Sequence, residues 1–365
     1  MTLSIYDQRV LAGIRRDMRL ERPTDFWRKS FFGGSPFFSE NLEIEFGKIV
    51  GTRAMAPFAL PTHMGKPIVK ERGAALERFT PAYIKLLDTV RPQDATTLTV
   101  EELMTGEQLD LQARFGIRTA EVSRQHIEAV YRTWDWMCAK AVIDSAVTVK
   151  YIHEQGQPNP EVTINFGRDA NLTIGYSGGI DWTSPSADIV GMLSDWINLG
   201  RKAQFGGSYN KMIVGSNVAE VFQKNTGILA LLNTQTRGGE GTSFVRGLQI
   251  IGDDANAPTY IGTIGGVGGS LEVWTYSDQQ VNDAGTTIEI LSPNDIVMFA
   301  PGVDGLMAFG AIYDVATIGS GTRTDMFQKQ YEIQNPSSIS MLTQSAPLPI
   351  PRFPNKTLKA TVLNV

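Results

Sequence analysis

A single cysteine, Cys138, and three histidines, His63, His126 and His153, are the only thiol and imidazole groups in this 365-residue chain. One cysteine excludes an intrachain disulfide and any cysteine-based zinc cluster, and it points to a reducing compartment. Three scattered histidines argue against a metal site. No apolar run approaches the roughly 18 residues that a membrane helix needs, so no membrane association is expected. The opening MTLSIYDQRVLAGIRRDMR lacks an apolar core of signal-peptide length, and its arginines follow the apolar positions instead of preceding them, so export is not expected. Basic excess is missing as well: the net charge is −5. That excludes a chain wrapped tightly around nucleic acid but allows a surface that lies near it. With 42% hydrophobic and 19% charged residues, the chain reads as an ordinary globular protein large enough for two or three lobes.

Motifs that carry chemistry are equally scarce. Gly175-Tyr176-Ser177-Gly178-Gly179 matches the nucleophile elbow of serine hydrolases. However, IDWTSP stands where a helix should follow, and all three histidines precede Ser177, against the chain order of that fold. His153-Glu154 opens like a zinc-protease motif, but Gln157 stands where the second histidine belongs. Gly265-Gly266-Val267-Gly268-Gly269 has the look of a phosphate loop, yet strand-like segments flank it, which predicts a hairpin tip. Cys138 and His126, twelve residues apart on one predicted helix, are separated by about 18 Å, too far for a nucleophile and its base. Asp253 and Asp254, followed by Asn256 and Pro258, read as a solvated turn. No cofactor and no catalytic or metal residue is assigned.

What is present is an assembly of faces. Val10, Leu11, Ile14 and Met18 share one helical face ringed by Arg15, Arg16 and Arg19, either a plain surface helix or an arm that grips a neighbour. ENLEIEFGKI alternates as a strand with one wet face. Residues 119–145 carry a helical stripe of Ile127, Val130, Tyr131, Trp134, Met137, Cys138, Ala141, Val142 and Ser145, with Thr119 as its cap. A hairpin follows over 146–166. A second helix is predicted from Ser184 as cap with Pro185 in its first turn, burying Ile189, Met192, Leu193, Trp196 and Leu199. Short strands and helices then alternate, ending in TLKATVLNV. Residues 71–92, ERGAALERFTPAYIKLLDTVRP, fit neither period. Gly73, Pro81 and Pro92 punctuate six large apolar side chains, and these in turn disfavour disorder, which predicts a projecting loop that packs on something.

Specific blocks then suggest a family. RGAALERFTPAYIKLLDTVRPQ resembles the extended loop of lambda-type tailed-phage major capsid proteins, through Arg72-Gly73, Phe79 to Tyr83, and Val90, Pro92 and Gln93. Ser177, Gly178, Gly179, Asp181 and Trp182 resemble a second block of that family, and Gln344 to Leu348 a third. WRKSFFGGSPFFSENLEI is similar to its phenylalanine-rich approach to the first strand, whereas residues 200–330 carry no clear match. The resemblance implies an α+β chain with the Hong Kong 97-type capsid fold. Its expected parts are an N-terminal arm (1–40), a peripheral domain (41–61 and 96–183) with spine helix and hairpin, an extended loop (62–95), an axial domain (184–325), and a return to the peripheral domain (326–365).

The function so implied is a major capsid protein forming pentamers and hexamers of a shell around double-stranded DNA, read without sequence specificity. Scaffold and portal proteins, and possibly a decoration protein, are the expected partners. The expected location is the virion, with host cytoplasm during assembly. Inter-subunit contacts are expected from the extended loop through Arg72, Arg78, Phe79, Tyr83, Leu87 and Arg91, with Phe79 and Tyr83 as anchors, and from the arm through Arg15, Arg16 and Arg19. The alternatives are a bacterial encapsulin-like nanocompartment subunit, which shares the fold, and a serine hydrolase using Ser177.

Overall fold

The computed structural model describes residues 25–41, 43–49, 74–96, 110–150, 161–228, 243–250, 258–265, 269–281, 285–315 and 324–364. Helix α1 (Phe26–Phe31) packs on helix α2 (Leu111–Ile143), the longest element described at 33 residues, or about 50 Å of rise. Helix α2 is capped by Asp110, whose carboxylate accepts from the Leu111 amide at 2.8 Å. Thr119, the cap expected from sequence, instead lies buried within the helix and bonds back to the Phe115 carbonyl. At the other end the chain leaves the helix through Asp144, and Ser145 takes φ 53°, a left-handed conformation that cannot continue it.

Helices α3 (Ile189–Lys202) and α4 (Ser216–Lys224) complete the helices described over their full length. The cap of α3 is Asp188, accepting from the Gly191 amide at 2.9 Å, so the cap lies four residues beyond Ser184. Ser184 and Pro185 form the turn before it. Ile189, Leu193 and Trp196 are buried as expected, while Leu199 is exposed.

Seven strands form one sheet, in the order Thr173–Ile174, Thr357–Thr361, Asp295–Phe299, Lys211–Val214, Leu271–Thr275, Thr259–Ile264 and Ser243–Ile250. Successive strand residues point to opposite faces. Accordingly Met212, Val214, Ile296, Met298, Leu358 and Ala360 join α3 and α4 in one core, whereas Ile213, Val297 and Phe299 join α1 and α2 in another. The sheet is thus the wall between two apolar cores. Two pieces placed by sequence in the peripheral domain, Thr173–Ile174 and Thr357–Thr361, lie in this sheet beside the strands assigned to the axial domain. Their short alternating patterns do not encode a partner; the pairing with Asp295–Phe299 spans more than sixty residues of chain.

Residues 71–92, expected as an irregular loop, contain two strands. Ala74–Phe79 pairs antiparallel with Ile44–Ile49, and Ile84–Val90 pairs antiparallel with Ser337–Ser345, which also pairs with Phe327–Gln334. The break between the two strands falls at Thr80–Tyr83, where Pro81 lacks an amide donor for a ladder. A further sheet joins Phe37–Phe38, Gly305–Phe309 and Pro347–Pro351. Prolines 347, 349 and 351 are accommodated because their strand is at the sheet edge, and Leu348 and Ile350 between them point into the α2 core. The hairpin after α2 pairs Ala146–Lys150 with Glu161–Asn165, and its tip lies outside the described residues.

Candidate subunit interface

Strand Ile84–Val90 is the edge of its three-stranded sheet among the described residues, and its alternation sorts two kinds of contact. Ile84 and Leu86 pack against the α2 core, Val90 is buried, and Asp88 reaches α2 itself. On the opposite side Lys85 and Thr89 are exposed, and Leu87 between them is 54% exposed.

The inward face is held by a polar chain. Buried His126 of α2 stands 2.8 Å through Nε2 from Asp88 Oδ2 and 3.0 Å through Nδ1 from Thr343 Oγ1. Gln328 donates to the same Thr343 hydroxyl at 3.1 Å, and Ser123 donates to Gln328 at 3.4 Å. One imidazole therefore ties the edge strand, the central strand and the helix together. Sequence reading left His126 as one of three scattered histidines, because its partners lie 38 and 217 residues away.

Two of the sequence blocks meet in space just before this strand. The Tyr83 hydroxyl donates to Gln344 Oε1, Ile84 pairs with Ser345, and Pro81 packs on Gly310. A Cβ on Gly310 would come within 2.5 Å of the Pro81 ring, so the close approach requires glycine there. Gln344 in turn donates to Asp314, which pairs with Lys329. Burial, and next the Asp314 charge, raise the Tyr83 hydroxyl above its ordinary pKa, keeping it a neutral donor. Phe79 packs against Phe166 with ring centroids 6.3 Å apart, at the border of the α2 core.

Phe79 and Tyr83, expected as anchors on a neighbour, thus have partners within their own chain. Phe79→Ala combined with Tyr83→Ala is expected to cost about 2–4 kcal/mol of subunit stability, read as a lower urea midpoint, through lost burial and the loss of the donor to Gln344 Oε1. Wild-type stability of the pair would show that these contacts are dispensable within the subunit. Of the other expected residues, Arg78 is 67% exposed and pairs with Glu45 at 2.9 Å. Arg91 is exposed, and its amide donates to Asp94 at 2.8 Å. Arg15, Arg16, Arg19 and Arg72 lie outside the described residues. What remains outward on the strand is Leu87 and its polar neighbours.

The serine block has a structural place too. Ser177 sits in an exposed turn after Thr173–Ile174, and the next helix begins only at Ile189. Trp182 of the same block is fully buried, stacks on Trp196 at 5.9 Å, and its amide bonds the Val362 carbonyl. His126 is committed to Asp88 and Thr343, and His63 and His153 lie outside the described residues.

Known proteins share sequence and fold with this chain. Residues 11–362 match the family model described as phage major capsid protein E. The major capsid protein of Escherichia phage lambda is 23% identical over 329 residues, covering 88% of each chain. A crystal structure of a protein assigned as a prophage capsid protein from E. coli CFT073 superimposes with a TM-score of 0.66 at 17% identity, covering 99% of this chain and 100% of the other, so the two share a fold.

Proposed function

Because the chain belongs to the phage major capsid protein E family, and is a tailed-phage major capsid protein of the Hong Kong 97-type fold, we propose that its copies join through the outer side of strand Ile84–Val90. The match of the family across residues 11–362 carries the capsid reading, which makes the protein a structural component of a phage virion that assembles into a multi-subunit shell. The contact itself is supported by Leu87, a large apolar side chain left more than half exposed on an edge strand whose Ile84 and Leu86 pack toward the α2 core. A strand already paired in its sheet presents its outward side chains at a lower ordering cost than a free segment, which favours association. Obligate interfaces commonly bury more than about 2,000 Å², so Leu87 acts within a wider surface that includes Arg78, Lys85 and Arg91.

Repeated heterologous contacts of this kind close into rings, and on this reading the rings are pentamers and hexamers. The shell encloses double-stranded DNA by geometry, without reading its sequence, as suits a chain of net charge −5. Scaffold and portal proteins are the assembly partners, a decoration protein is a further candidate, and assembly takes place in host cytoplasm. The role is structural, with no catalytic step.

Negative-stain electron microscopy of the full chain, expressed alone and with its neighbouring genes, tests this. Hollow particles or rings of five and six are expected, and a monodisperse 40 kDa species under both conditions overturns the reading. DNA inside the particles separates a phage shell from a protein-storing compartment. Leu87→Asp is expected to leave circular dichroism unchanged while reducing particle yield at least tenfold; full yield would remove this strand from the contact.

A further inference from the structure

Among the described residues, the carboxylic acids Asp25, Asp135 and Asp278 and the Arg28 guanidinium converge where α1 sits on the C-terminal third of α2. Asp135 of α2 is 0% exposed. Its Oδ1 accepts from the Arg28 amide at 2.9 Å, while Oδ2 is buried with no hydrogen-bond partner among the described residues. Asp25, at the head of α1, is also buried, and its Oδ2 lies 3.5 Å from Arg28 Nη1. The Arg28 guanidinium stands over the Trp134 ring, 5.3 Å from its centroid. From the third side comes buried Asp278, three residues beyond strand Leu271–Thr275, accepting from the Tyr276 hydroxyl at 3.2 Å.

Cys138, one turn along α2, completes the titratable groups around the cluster. Lys140, the next cation on that helix, turns instead to Asp144 and the Ile290 carbonyl. Rings of Phe26, Trp27, Phe31 and Tyr276 pack edge and face around the same helix.

Asp135 is fully buried with one carboxylate oxygen lacking a donor among the described residues, and such a group is poorly tolerated as an anion beside two other carboxylates. We propose that this cluster is a proton-sensitive latch: α1 is locked on α2 while Asp135 holds a proton, and it loosens when Asp135 ionises beside Asp25 and Asp278.

Burial, opposed by the Arg28 and Trp27 amides and reinforced by Asp25 and Asp278, pushes the seated Asp135 carboxyl up to about 7. Once α1 is lifted and water enters, the group returns toward the ordinary aspartate value of about 4. Between these values the seated form keeps a proton that the loosened form has lost. Seating therefore weakens as pH rises from about 4 to 7, is constant above that, and tightens on acidification.

Hydrogen exchange of the full-length subunit, read by mass spectrometry and corrected for the chemical exchange rate, tests the latch. Amides of residues 26–32 are expected to exchange on the order of tenfold more slowly at pH 5.5 than at pH 7.5, with α3 in the other core as an unchanged reference. Asp135→Asn is expected to abolish the difference. Equal exchange at both pH values in the wild type, or a difference retained in Asp135→Asn, overturns the proposal. Should Asp135→Asn not fold, Asp278→Asn decides: loss of a like charge moves the transition to lower pH, and an unmoved transition overturns it.

Discussion

Trp134→Ala is expected to lower the unfolding free energy by about 3–5 kcal/mol, a large part of the 5–15 kcal/mol that typically holds a domain together. The ring is 1% exposed and lies in the C-terminal third of α2. It meets Tyr131 and Phe309 edge-on, both at centroid distances of 5.1 Å, and carries the Arg28 guanidinium on its face. Its loss leaves a cavity between the helix, the Gly305–Phe309 strand and α1, three elements too heavily crosslinked by other contacts to collapse into it fully. Chemical denaturation of the unassembled subunit measures the change directly. A loss below about 1 kcal/mol would show that the core repacks and that α2 is not its organising element. Particle yield should fall in parallel, because a partly unfolded subunit cannot supply a shell.

Arg168→Met should cost about 2–4 kcal/mol for a different reason. Arg168 stands at the C-terminal end of α2, where helix carbonyls lack intrahelical partners. Its Nη1 donates to the Ile143 carbonyl at 2.9 Å and to Thr357 Oγ1 at 3.2 Å, while Nε and Nη2 hold Thr173 Oγ1 at 3.0 and 2.9 Å. One side chain thus joins the end of the spine helix to two strands of the seven-stranded sheet, the wall between the cores. Burial pulls its pKa down to about 10, against the opposing charge of Asp144, so the group stays cationic at neutral pH. Methionine keeps the apolar stem and removes every donor, leaving buried carbonyls unpaired. The neighbouring bridge from Lys359 to Asp144 at 2.7 Å and Asp295 at 3.0 Å gives the comparison. Lys359→Met tests charge pairing alone, and equal losses in the two variants would show that the carbonyl cap adds nothing.

Much of the fold was legible because periodicity is local. Ile127, Val130, Tyr131, Trp134, Met137, Cys138, Ala141 and Val142 share a stripe at helical spacing, and all are buried on α2. The alternation in DIVMF and KMIV likewise appears as strands, with odd and even positions in different cores. Caps were harder to place. Thr119 and Asp110, or Ser184 and Asp188, are equally good acceptors in isolation, and the choice depends on where the apolar stripe first meets a partner. Residues 84–90 were missed as a strand because only their pairing with Ser337–Ser345, some 250 residues on, completes their hydrogen bonds.

For the candidate interface, the sequence alone marked out blocks of residues: Phe79 to Tyr83 and Gln344 to Leu348 stood out before any contact was known. Only the tertiary structure decided what they do. It turned Phe79 and Tyr83 inward to their own chain, left Leu87 outward, and made His126 the tie between strand and helix. It also gathered Asp25, Arg28, Asp135 and Asp278 around one buried point. The physical reason is range. Propensity and periodicity act over a few residues, whereas burial, hydrogen-bond partnership and proton affinity belong to whatever long-range packing brings together.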